Sequence, residues 1–110
     1  MVISQEASEM IGTTASLEEG DTLSYLQLMY GMMLPSGNDA AFTIAEYFSN
    51  MLFDFKYCQL PIKEQEKIRS FSYERHPIRF FLREMNVYAK ELGMKDTHFD
   101  SPHGLANRFN

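Results

Sequence analysis

A chain of 110 residues is long enough for one hydrophobic core and too short for two, since a unit of this size buries roughly two-thirds of the surface its unfolded form exposes. At 45% hydrophobic and 23% charged it falls outside the disordered class, and a net charge of −5 argues against nucleic acid as a partner, which would require clustered positive charge. No apolar stretch reaches the roughly 18 residues of a membrane span, and the single Cys58 excludes an internal disulfide framework.

The first residues, Met1 to Glu6, have neither a basic segment nor an apolar core and so do not form a secretory leader; either the protein is intracellular or Met1 is not its natural start. Val2-Ile3 suits the tail of a strand. Residues 4–20 are polar and read as loop with one short turn. Asp21-Thr22 offers an N-cap for a helix over Leu23 to Leu34, whose residues are apolar almost all round. A helix without a polar face predicts burial on every side. Pro35 stops it, Ser36-Gly37-Asn38 makes a tight connection, and Asn38 or Asp39 caps a second helix running from Asp39 to Phe48. Its Ala40, Ala41 and Ala45 leave room for a close neighbour.

From Ser49 to Pro77 the pattern weakens: Lys63 to Lys67 is helix-compatible, while Cys58 to Pro61 and Ser70 to Ser72 read as loop. His76-Pro77 opens the clearest helix. Ile78, Phe81, Leu82, Met85, Ala89 and Leu92 fall on its apolar face, and Arg79, Arg83, Asn86 and Lys90 on the other. Gly93 ends it. Thr97-His98-Phe99 suits a short strand and Ser101 to Gly104 a turn.

Charge is unevenly placed. Met1 to Phe55 contains eight acids and no base, a net of −8, whereas Lys56 to Asn110 holds all ten bases against seven acids, a net of +3. Such a layout suits two origins or two halves that attract each other. The basic stretch from Lys56 to Arg83 is read as a solvated helical surface, not as a nucleic-acid patch.

One constellation carries chemistry. Ser36 and Asn38 present a hydroxyl and a carboxamide at the end of an apolar helix, with Gly37 between them clearing the approach. A hydroxyl can pass a proton between an amine and a leaving group, and an amide can hold a peptide group while orienting a lysine. Neither is an activated nucleophile by itself. The plain alternative is a polar turn that caps a helix.

Gly20-Asp21 followed by Leu26-Gln27-Leu28-Met29-Tyr30-Gly31-Met32-Met33-Leu34-Pro35-Ser36-Gly37-Asn38-Asp39-Ala40-Ala41 resembles the D-alanyl-D-alanine carboxypeptidases, the low-molecular-mass penicillin-binding serine peptidases with a β-lactamase-like fold. Met85-Asn86, Ala89, Leu92-Gly93-Met94, Thr97-His98-Phe99 and Pro102-His103-Gly104-Leu105 are similar to the same family in type and order. The resemblance covers residues 2–48 and 80–105. Residues 49–77 depart from it and read as a surface insertion, which loops tolerate well; a misread exon or frame would have the same basic composition.

The resemblance implies an α+β fold of which this chain holds a mainly helical fragment, with most of the antiparallel sheet absent. It implies hydrolysis of the terminal D-Ala-D-Ala bond of peptidoglycan stem peptides through an acyl-serine, with no metal or other cofactor, and β-lactams as further ligands. Three motifs divide that work. The Ser-x-Asn motif maps onto Ser36 and Asn38: Ser36 would relay the proton to the leaving D-alanine, and Asn38 would bind the substrate's amide carbonyl and help position a lysine. No serine here is followed three residues later by lysine, and no lysine by Thr-Gly or Ser-Gly. The nucleophile is therefore expected upstream of Met1 and the third motif downstream of Asn110, leaving this chain inactive alone. Family members are secreted or periplasmic. Two other classes stay open: a noncatalytic relative that binds muropeptides or a protein, and a β-lactamase or esterase.

His76, His98 and His103 lack zinc-like spacing, and His103 belongs to the turn. Cys58, without a convincing histidine partner, reads as a small apolar residue, and the eight Met and nine Phe as core packing.

Overall fold

Residues at the start of the chain pair with the stretch just before the first long helix. Ile3 donates its N–H to Asp21 O (2.9 Å) and Leu23 donates to Met1 O (2.9 Å), which makes an isolated antiparallel bridge between Val2 and Thr22. The computed structural model describes residues 1–72 and 78–105, is mostly helical, and has no strand among the described residues. The Val2-Ile3 reading survives as that one bridge. Thr97-His98-Phe99 is not a strand.

The loop after Ile3 contains one helical turn, α1 (Gln5–Ser8), capped by Ser4, which accepts from the Ala7 N–H. The first long helix, α2, spans Tyr25–Met33 and not Leu23 to Leu34. Its cap is Ser24, not Asp21 or Thr22. Ser24 Oγ accepts from Gln27 N (3.2 Å) while Gln27 Oε1 accepts from Ser24 N (2.8 Å), a reciprocal capping box that satisfies two otherwise orphaned donors. Asp21 is instead used in the turn before it, accepting from Glu18 N.

The burial expected for this helix is overturned. Only Leu28 is buried; Leu26, Tyr30, Met33 and Leu34 are 63%, 58%, 70% and 80% exposed. The other elements of the chain cover one side of α2 and leave the opposite apolar side bare.

The second long helix, α3, runs Asn38–Tyr57, nine residues past Phe48 and into the expected insertion. The reason lies in a row spaced by four: Ala41, Ala45, Ser49 and Phe53 are all buried, so one stripe faces the core for most of the helix. A turn at 58–61 leads to α4 (Ile62–Ser72), which includes Ser70 to Ser72, read as loop from the sequence. Arg69 ties α4 back, with its guanidinium 4.3 Å from the Phe53 ring centre and an ion pair to Asp54 at 2.8 Å.

The last helix, α5 (Ile78–Glu91), packs on α3 through Phe80, whose ring stands 5.4 Å from Phe53 at 68°. Lys56 on α3 also pairs with Glu84 on α5 at 2.8 Å. Ile78, Phe80 and Ala89 are buried, whereas Leu92, placed on the apolar face by periodicity, is 60% exposed. Asn86 leaves its assigned polar face. It is half-buried, donating Nδ2–H to Phe99 O (2.7 Å) and accepting at Oδ1 from Phe99 N (2.7 Å). The segment read as a strand is thus docked on α5 through the Asn86 side chain. Gly93 follows the helix at φ 77°, the left-handed geometry expected there. The expected helix opening at His76-Pro77 lies outside the described residues.

The core gathers where α1, α2, α3 and α5 meet: Ile3, Ala7, Leu28, Ala40, Phe42, Ile44, Ala45 and Ile78. Cys58, expected as a small packing residue, is exposed at the end of α3, and Phe55 is 86% exposed. Not every Met and Phe serves the core. Among the described residues no helix is long and apolar enough to cross a membrane.

Candidate functional site

The corner between α2 and α3 is built by interlocking two loops. At the end of α2, Gly37 N reaches back to Gly31 O (3.1 Å), and Ser36 sits at φ 57°. This is a left-handed closure of a helix C-terminus, for which glycine is the usual residue. Here a serine occupies the strained position and glycine follows it. Gly37 cannot carry a side chain, because an added Cβ would strike Gly31 O and lie 3.0 Å from Ala15 N. Gly31 is also close-packed, its missing Cβ position lying 3.3 Å from Ala15 Cβ and 3.4 Å from Ala40 Cβ. The small alanine at 40 does admit a close neighbour.

Across from this corner runs the loop of residues 11–17. Asn38 donates its backbone N–H to Thr13 O (2.8 Å) and its Nδ2–H to Ile11 O (2.8 Å). Thr13 Oγ1 donates to Ser36 O (2.6 Å). Asp39, fully buried, accepts from Ala15 N (2.8 Å), Leu17 N (3.0 Å) and Ala40 N (2.9 Å). Gly37, with no capping side chain, occupies the N-cap of α3, so neither Asn38 nor Asp39 caps it. Their side chains serve the opposing loop instead.

The structure therefore separates the two sequence candidates. The Ser36 hydroxyl is exposed and makes no hydrogen bond among the described residues; the Asn38 side chain is 5% exposed, with one Nδ2 proton committed to Ile11 O. Its other Nδ2 proton and its Oδ1 have no partner among the described residues. Thr13 and Asp39 are the members that sequence reasoning missed as parts of the site. Asp39 was legible only as a helix-start charge, and nothing in the spacing marks Thr13.

His103 has a local role. Its Nδ1 accepts from Leu105 N (3.2 Å), and burial lowers its pKa below the ordinary 6.5, with Asp100 pulling weakly the other way. The Leu105 side chain then packs beside Gly12, 3.3 Å from where a Cβ would stand. Among the described residues no group of three His, Cys, Asp or Glu could hold a metal ion.

Residues 78–110 match the model of a family described as D-alanyl-D-alanine carboxypeptidase. The chain is 35% identical over 96 residues to the D-alanyl-D-alanine carboxypeptidase of Streptomyces sp. (strain K15), covering 87% of this chain and 26% of that protein. It is 31% identical over 102 residues to D-alanyl-D-alanine carboxypeptidase DacF of Bacillus subtilis (strain 168), covering 93% of this chain and 20% of that one. The chain is a relative of the D-alanyl-D-alanine carboxypeptidases.

D-alanyl-D-alanine carboxypeptidase DacD of Escherichia coli (strain K12) is similar at 33% over 89 residues, 81% of this chain and 16% of its own length. The chain thus spans about a quarter or less of the curated relatives it matches. Matches covering 87% and 93% of 110 residues take in Ser36 and Asn38 wherever they begin, so the corner lies inside the shared length.

Proposed function

We propose that the α2–α3 corner is the Ser-x-Asn wall of a serine-type D-Ala-D-Ala carboxypeptidase acting on peptidoglycan stem peptides. The observation that carries this is Ser36: a hydroxyl without a partner among the described residues, on a residue held in a left-handed conformation that serine adopts only at a cost. A corner needed only to join two helices would favour glycine at that position.

In this reading Ser36 passes a proton to the departing D-alanine amine. Asn38 uses its remaining Nδ2 proton on the substrate's amide carbonyl and its Oδ1 to orient a lysine. The acyl-accepting serine, that lysine and the carboxylate-gripping Lys-Thr-Gly come from polypeptide outside these 110 residues, as does most of the antiparallel sheet of the α+β fold. We read residues 49–77 as an insertion relative to the family, one whose α3 part is not confined to the surface, since Ser49 and Phe53 are buried and Phe53 packs on Phe80 of α5. β-Lactams would occupy the same cleft, and no metal is needed.

Labelled penicillin tests the proposal. The 110-residue chain alone should form no covalent adduct, and the protein extended in both directions at its locus should form one. An adduct on the isolated chain would overturn the division of labour. An extended protein that lacks Ser-x-x-Lys and binds muropeptides without an adduct would instead be a noncatalytic relative, and one that rapidly hydrolyses the drug a β-lactamase.

A further inference from the structure

Among the described residues two non-glycine residues have φ of 57°, Ser16 and Ser36, and they sit on the two sides that face each other at the corner. Each lies beside hydrogen bonds that cross to the opposite side of the corner. Ala15 N and Leu17 N, on either side of Ser16, both donate to the Asp39 carboxylate. The Ser36 carbonyl and, two residues on, the Asn38 N–H both meet Thr13, through its hydroxyl at 2.6 Å and its carbonyl at 2.8 Å. The arrangement is a reciprocal clasp. Left-handed geometry at a residue with a Cβ persists only where its surroundings over-determine it, and each loop supplies that constraint to the other.

We propose that Thr13 is a positioning residue for Ser36. It does not reach the reacting atoms; its hydroxyl fixes the Ser36 carbonyl, which sets the peptide plane and with it the direction of the Ser36 hydroxyl. Proton relay depends on that direction, because a misplaced group loses rate while substrate binding through other contacts survives. The assignment rests on the carboxypeptidase reading of the corner.

The test uses the extended protein with Thr13→Val, which keeps the volume and the backbone carbonyl to Asn38 but removes the donor, and with Thr13→Ser, which keeps the donor. Thr13→Val should slow acylation by labelled penicillin about tenfold, the scale of one lost hydrogen bond. The dissociation constant of the initial complex should stay within about twofold, and Thr13→Ser should restore the rate. A crystal structure of Thr13→Val should show Ser36 out of the left-handed region. Ser36 retained at positive φ in that variant would overturn the clamp, and so would a Thr13→Ser variant as slow as Thr13→Val, which would mean packing and not donation. If Ser36 relaxes yet acylation is unchanged, and Ser36→Ala is also unimpaired, the clamp stands as geometry while the relay role of Ser36 falls. An extended protein that no penicillin acylates overturns the carboxypeptidase reading itself and this role with it.

Discussion

At the scale of single residues, the corner trades stability for a hydroxyl. A side chain with a Cβ in the left-handed region costs about 1 kcal/mol or more relative to glycine, and Ser36 occupies that region at φ 57°. Replacing it separates the two effects. Ser36→Gly and Ser36→Ala both remove the hydroxyl, but Ser36→Gly should be the more stable by about 1 kcal/mol in urea unfolding, while on the proposed relay role both should slow acylation of the extended protein. Equal stability of the two variants would mean that Ser36 leaves the left-handed region in solution. The residue types at 36 and 38 were legible from the chain alone. Their unequal burial was not, because it depends on the loop of residues 11–17, more than twenty residues away, arriving to cover Asn38 and leave Ser36 bare.

Among the elements, agreement was best where local signals suffice. Gly93 ends α5, Pro35 follows α2, and Lys63 to Lys67 lies inside α4. The errors have a common cause. The sequence pattern weakens after Phe48, yet the four-residue row of buried positions continues through Ser49 and Phe53, and burial against Phe80 of α5 extends α3 by more than two turns. Asn86 illustrates the converse. Its polarity places it on the solvent side of α5, yet its two 2.7 Å hydrogen bonds dock the backbone of Phe99, holding the tail without a strand. Asn86→Ala should therefore leave α5 intact and free the tail, costing about 2 kcal/mol for the unpaired backbone groups. Amide hydrogen exchange would show it as faster exchange at Phe99 with unchanged protection in the middle of α5; unchanged exchange at Phe99 would assign the docking to something else.

The molecule as a whole is looser than its length requires. Its radius of gyration is 14.6 Å, against about 13 Å for a compact chain of 100 residues. It also leaves the apolar side of α2 bare, with Leu26, Tyr30, Met33 and Leu34 all more than half exposed, and Phe55 on α3 is barer still. Contiguous apolar surface of this kind marks an interface. The isolated 110-residue chain should accordingly bind the dye ANS and self-associate in sedimentation velocity, and the extended protein should do neither. An isolated chain that stays monomeric and dye-free would show that α2 needs no cover.

Composition, the two family-like blocks and the Ser36-Gly37-Asn38 tripeptide were decided by the amino-acid order, since residue type and spacing are local properties. Helix existence followed for the same reason, through periodicity and stop signals. Only the folded arrangement decided which apolar faces are covered, where α3 ends and that Thr13 and Asp39 belong to the corner. Each of these depends on contacts between residues far apart in the chain, and those contacts have no signature in any short window of it.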